Sequence, residues 1–175
     1  VIAVGSELLG WTRLDTNSLF ISEKLAALGI ELKSKCVVGD DRRRLRGVFV
    51  HALARADVVF LTGGLGPTDD DVTREVVADA LGVRLVEDPA ITDGIRTRFE
   101  RRGMRMPEVN RRQALVPEGA HVLANANGTA PGLLIDIPPK LVILLPGPPR
   151  ELHPILDALC APGGALADRA GLERI

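Results

Sequence analysis

The chain has 175 residues, 46% of them apolar and 26% charged, which supports one core of ordinary size and excludes a disordered chain. Its 22 Lys and Arg against 23 Asp and Glu leave a formal charge of -1, so a nucleic-acid binder held by a cationic surplus is not expected. No apolar run approaches the ~20 residues that cross a bilayer, which excludes a membrane-spanning helix.

Short apolar runs alternate with amphipathic segments. Val1–Val4 reads as a first strand that ends at Gly5. Asp15 is placed to cap a helix whose expected inward face is Leu19, Leu25 and Leu28, closed by Gly29. Ile30–Val38 reads as a second strand. Leu45, Val48, Phe49, Ala52 and Leu53 then fall on one face of a helix. Asp57–Leu61 is short and nearly all apolar, as a strand covered on both faces must be. Val72, Val76, Ala80 and Leu81 mark a further helix that stops at Gly82. This order predicts an α/β fold, a mostly parallel sheet with helices on both faces.

In the second half, Asp88-Pro89 opens a helix carrying Ile91, Ile95 and Phe99, and an exposed basic connection follows at 101–107. Ala114–Val116, His121–Leu123, Leu133–Ile137 and Leu141–Leu145 read as strands, the last two separated by Pro138-Pro139. Pro146-Gly147-Pro148-Pro149 leads into a helix with Leu152, Ile155, Leu156 and Leu159. Residues 1–160 are expected to form one domain, and 161–175 a linker or truncated C-terminal edge. Leu8–Leu9 and Leu133–Ile137 are candidate surfaces for a homo-oligomer. Cys36 and Cys160 lie far apart and no secretory leader is visible, which points to a cytoplasmic protein without a disulfide framework. Cys36, within the second strand, is expected in the core, and Trp11 either at a rim or in packing.

The chemistry concentrates at Thr62–Thr73, which runs Thr-Gly-Gly-Leu-Gly-Pro-Thr-Asp-Asp-Asp-Val-Thr. It follows a buried strand and precedes a helix, the edge of an open α/β sheet where ligands bind. Gly63, Gly64 and Gly66 let the backbone approach an anion, and the helix N-terminus adds partial positive charge. A phosphate-binding loop with Gly-Lys-Ser/Thr is excluded, as is a dinucleotide fingerprint after the first strand. Thr68 with Asp71 also resembles a capping box. Three aspartates would repel a phosphate unless a divalent cation lies between them, so a metal-bridged phosphate or pyrophosphate site is expected. Asp40 after the second strand, and Ser6 and Glu7 after the first, share that edge, although Asp40 is also a candidate helix cap. Arg42–Arg44 reads as a solvated run or a phosphate contact. The isolated His51, His121 and His153 have no zinc spacing.

The Thr62–Thr73 motif resembles the molybdopterin-binding (MogA/MoaB/MoeA-like) domain family, and its Leu-Gly-Pro-Thr form is closest to the CinA competence/damage-inducible type. Gly5-Ser6-Glu7-Leu8-Leu9, Asp15-Thr16-Asn17, Val38-Gly39-Asp40, Asn110-x-x-Gln113-Ala114, Gly128–Gly132 and Leu145-Pro146-Gly147-x-Pro149 support it in order and spacing. The resemblance implies a three-layer αβα sandwich with a mostly parallel sheet. It also implies that Asp40 and Asp71 match two aspartates important in molybdopterin adenylyltransferases. CinA-type domains are associated with metal-dependent hydrolysis of ADP-ribose-like pyrophosphates. Many carry a separate C-terminal amidase-type domain, for which this sequence has no room. Leu65 and Asp70 stand where the molybdopterin enzymes carry Thr and Arg, a change that weakens direct phosphate recognition and favours a cation.

The expected activity is hydrolysis of a nucleoside diphosphate linkage in a small-molecule nucleotide. Asp71, Asp70 and Asp40 are the candidate catalytic groups, and the same three with Glu7 the candidate ligands of Mg, Mn or Co. Gly63, Gly64, Gly66, Thr73, Ser6, Asn17 and Gly147 are the candidate phosphate or nucleotide contacts. Two other readings fit the same residues: a molybdopterin adenylyltransferase with a pterin ligand, and a non-catalytic nucleotide or pterin module.

Overall fold

The structure is a computed structural model that describes residues 1–170. In chain order its elements are β1 (Ile2–Val4), α1 (Thr16–Ala27), β2 (Cys36–Val38), α2 (Arg42–Arg55), β3 (Val58–Thr62), α3 (Thr73–Leu81) and β4 (Leu85–Glu87). Then come α4 (Pro89–Glu100), β5 (Leu115–Pro117), β6 (His121–Leu123), β7 (Gly132–Ile137), β8 (Lys140–Leu145), α5 (Pro149–Cys160) and α6 (Ala165–Arg169).

Six strands form one sheet in the order β2-β1-β3-β8-β7-β6. β2, β1, β3 and β8 run parallel, and β7 runs antiparallel to both neighbours. Successive side chains of a strand point to opposite faces, and the core divides accordingly. Val59 and Leu61 of β3 join Leu45 and Phe49 of α2 and Val76 and Val77 of α3 on one face. Phe60 joins Ile21 and Leu25 of α1 and Leu152 and Leu156 of α5 on the other. The expected three-layer αβα architecture is the one observed. Because the four parallel strands share a direction, the loops after β1, β2, β3 and β8 emerge at one edge of the sheet.

Several expectations need correction. Only the last three residues of Ile30–Val38 form a strand, paired residue by residue with Ile2–Val4 of β1. Cys36 is exposed there rather than in the core. Leu19 is 59% exposed, and the buried stripe of α1 runs through Ser18, Ile21 and Leu25 instead. β4 was not expected. It pairs antiparallel with β5 in a separate two-stranded sheet, and three residues carry too little periodicity to announce it. Leu133, Leu134 and Ile135 are buried inside β7, which removes that run as a self-association surface. The stretch after Cys160 contains α6, whose Leu166 is fully buried against the α1–α5 layer, while 171–175 of the expected linker lie outside the described residues. His153 stacks on Phe20, ring centroids 3.8 Å apart, which ties α5 to α1. Among the described residues no helix is long and apolar enough to cross a membrane.

Candidate functional site

A cleft of about 970 Å³ opens at the edge where the parallel strands end. Gly5 and Glu7 border it after β1, Asp40 after β2, and Gly147 after β8. Gly63–Gly66 with Asp70 and Asp71 border it after β3, and Asn17 and Glu151 line it from α1 and α5. The sequence-predicted residues therefore converge, with two exceptions. Ser6 and Thr73 are not on the cleft wall. Ser6 exchanges hydrogen bonds with Asp40: its N–H donates to Asp40 Oδ2 at 2.9 Å, and its Oγ accepts from the Asp40 N–H at 3.1 Å. Thr73 is fully buried, and its Oγ1 donates to the Gly63 carbonyl at 2.8 Å.

The fold itself requires two of the glycines. Gly63 and Gly64 have φ of 93° and 67°. A Cβ on Gly63 would collide with the Val4 carbonyl oxygen, and one on Gly64 with Thr73 Oγ1. The Gly63 N–H donates to Leu145 O at 2.9 Å, so it belongs to the sheet. Among the described residues, the N–H groups of Gly64, Leu65 and Gly66 have no protein acceptor.

The acids have distinct settings. Asp71 Oδ2 accepts from the Thr68 N–H at 2.9 Å and from Thr68 Oγ1 at 2.6 Å, closing a turn before α3. It does not cap that helix, whose first flanking residue is Val72. Asp70 is exposed and faces the cleft, while Asp69 lies outside it, paired with Arg112 at 2.9 Å. Asp41, not Asp40, caps α2 by accepting from the Arg44 N–H at 2.7 Å, which leaves Asp40 free to border the cleft. Arg42–Arg44 are exposed and do not line it.

Among the described residues, no three His, Cys, Asp or Glu side chains come together as a metal-holding group. The expected set of Asp71, Asp70, Asp40 and Glu7 thus shares one cleft without forming a cage. The four acids come from three loops, and Asp71 and Asp40 each commit an oxygen to a backbone N–H. This donor set still fits a hard cation held by one or two carboxylates together with ligand phosphates.

Sequence reasoning missed two groups and the arrangement of a third. Asn17 was expected, but not its arrangement: it is 9% exposed, its Nδ2 donates to Gly147 O at 2.7 Å, and its Oδ1 lacks a partner. Glu151, equally buried, accepts from Asn125 Nδ2 at 2.8 Å, and Gly128 packs where no side chain could fit beside it. Arg74 is 1% exposed under the glycine loop. Burial pushes its guanidinium below the ordinary value, opposed by the charges of Glu75 and Asp71. Nothing in the helical pattern around Val72 and Val76 announced a buried cation. Trp11, next in sequence to the Thr12 that lines the cleft, is 96% exposed, so it is not a packing residue.

A family model described as "Probable molybdopterin binding domain" matches residues 1–163. A protein named for competence-damage induction in Caldicellulosiruptor bescii is 52% identical over 157 residues, 90% of this chain and 38% of that protein. A CinA-like protein of Solibacter usitatus is 49% identical over 162 residues, 93% of this chain and 39% of that one. This chain therefore spans about two fifths of the length of the curated relatives it matches. CinA of Thermoplasma acidophilum, described as of unknown function, superposes with a TM-score of 0.83 at 34% identity, covering 90% of this chain and 92% of that one. The molybdopterin biosynthesis enzyme MoaB of Thermus thermophilus superposes with a TM-score of 0.60 at 22% identity, covering 97% of this chain and 94% of that one, a likeness of fold.

Proposed function

Given that the chain belongs to the molybdopterin-binding domain family and is similar to its CinA members, we propose that its cleft hydrolyses the diphosphate linkage of a nucleotide such as ADP-ribose, with a divalent cation bound. The observation that carries this reading is the meeting of opposites in one cleft. Three backbone N–H groups without protein acceptors, at Gly64–Gly66, adjoin the carboxylates of Asp70 and Asp71. The amides favour an oxyanion and the carboxylates repel it, so the pair makes sense around a ligand that brings phosphate and cation together. The cavity is at the upper end of the range for small-molecule sites, as a dinucleotide-sized substrate requires.

Asp71 and Asp70 would hold Mg, Mn or Co, with Asp40 or Glu7 in support. The cation would supply charge neutralisation and a more acidic bound water. The amides of Gly64, Leu65 and Gly66 take phosphate oxygens, which steadies negative charge as the linkage breaks. Asp40, held in place by Ser6, offers its second oxygen as proton acceptor for the attacking water. Asn17 Oδ1 accepts from a hydroxyl or N–H of the ligand, which would satisfy a buried polar atom otherwise left unpaired.

Product analysis with ADP-ribose and related diphosphate-linked nucleotides, each with Mg²⁺, Mn²⁺ or Co²⁺, tests the proposal. AMP and ribose 5-phosphate are the expected products, and Asp71→Asn should lower turnover by about 100-fold or more. Full turnover in Asp71→Asn, or no cleavage with any cation, overturns it. A second reading, pterin adenylylation, draws on the fold likeness to MoaB and on Asp40 and Asp71 bordering one cleft. Adenylylated pterin from ATP, Mg²⁺ and molybdopterin would favour it, and tight binding without turnover would favour a non-catalytic module.

A further inference from the structure

Four consecutive carbonyls of the loop between β3 and α3 are held from one side. Thr73 Oγ1 donates to Gly63 O at 2.8 Å, and the Thr73 N–H donates to Gly64 O at 3.2 Å. Arg74 then donates through Nη1 to Leu65 O and through Nη2 to Gly66 O, the latter at 2.9 Å. In a trans peptide, a carbonyl and the N–H of the following residue point in opposite directions. Holding the carbonyls of Gly63, Gly64 and Leu65 toward α3 therefore turns the N–H groups of Gly64, Leu65 and Gly66 the other way. Those are the three N–H groups without protein acceptors, in residues that wall the cleft. The run ends there because Pro67 has no N–H. The sign of φ also changes between Gly64, at 67°, and Leu65, and such an alternation makes successive N–H groups converge on an anion.

We propose that Thr73 and Arg74 form a clamp that aims these three amides at a ligand oxyanion, with Arg74 the positioning residue that also lends its charge. The inference rests on the diphosphate reading above and deepens it. A neutral donor could hold two carbonyls as well, so the choice of a buried guanidinium needs its own reason. Burying a cation is costly unless a carboxylate neutralises it. Among the described residues Arg74 has no ion pair within 4.0 Å, and its bonds go to neutral carbonyls. Glu75, its neighbour, is paired with Arg112 instead, at 3.0 Å. Glu75 and Asp71 offset part of that charge without touching the guanidinium, and the rest bears on an anion on the far side of the same peptide planes.

The test compares the intact chain with Arg74→Lys, which keeps the charge and loses the fork, and Arg74→Met, which loses both. The probe is inorganic pyrophosphate with equimolar Mg²⁺, followed through the amide resonances of Gly64, Leu65 and Gly66, with thermal melts to select folded protein. In the unaltered chain all three amide protons should move downfield on binding. Arg74→Lys should weaken binding about tenfold and abolish the Gly66 response, while Arg74→Met, if folded, should weaken it further. Wild-type affinity with an unchanged Gly66 response in folded Arg74→Lys overturns the proposal, as does the absence of any downfield movement in the unaltered chain. Pyrophosphate bound at these amides by a protein that cleaves no nucleotide would sink the hydrolase reading and leave the clamp standing.

Discussion

Gly64 and Gly82 have nearly the same backbone twist, φ of 67° and 69°, and differ in what surrounds them. A methyl on Gly64 would run into Thr73 Oγ1, whereas one on Gly82 meets open space. Gly82→Ala should therefore cost about 1 kcal/mol, the strain of a left-handed residue alone, and Gly64→Ala about 3 kcal/mol or more, since Thr73 must also move. Thermal melts of the two variants check the ordering. At this scale the acids were legible: Asp70, Asp71, Asp40 and Glu7 announced themselves by type and spacing, and all four border the cleft. The roles of Ser6 and Thr73 were not. A hydroxyl reads the same whether it meets a ligand or a carbonyl, and only burial separates the two. Arg74 was invisible for a related reason, since a lone arginine in an amphipathic helix ordinarily faces water.

The junction of β2 with α2 divides two jobs between adjacent aspartates. Asp41 accepts from the Arg44 N–H and caps a helix with no acid in its first turn and three arginines there instead. Asp40 is turned to Ser6 and the cleft. Asp41→Ala should cost about 1 kcal/mol of stability and leave turnover of folded protein unchanged. Asp40→Asn should do the reverse, lowering turnover with little change in the melting midpoint. If Asp41→Ala lost turnover without losing stability, the division would be wrong. Helices with long apolar faces were legible, α2 and α5 most clearly, because Leu45 with Phe49 and Leu152 with Ile155, Leu156 and Leu159 repeat the helical period. Short strands were not: β4 offers three residues, and of the expected Ile30–Val38 only Cys36–Val38 is a strand.

Across the molecule, the layered plan followed from the order of strands and helices, but the neighbours of each strand did not. β3 lies beside β8, with Leu61 opposite Leu144, a pairing that no local pattern encodes. Nor does local pattern reveal that α6 belongs to the body: Leu166 is fully buried with Leu156 and Leu159 of α5. Leu166→Ala should destabilise the chain by about 2–4 kcal/mol, measured by denaturant unfolding, whereas a detached tail would tolerate it.

The place of β8 in the middle of the sheet also fixes when the cleft can first form. The Gly63 N–H is anchored on Leu145 O, and Asn17 leans on Gly147 O, so both walls of the cleft lean on residues made late in synthesis. A nascent chain that has emerged only as far as β7 already carries Glu7, Asp40, Asp70 and Asp71, yet it lacks the strand on which Gly63 is anchored. The cleft is thus incomplete until translation has passed Gly147, however early the N-terminal segments collapse.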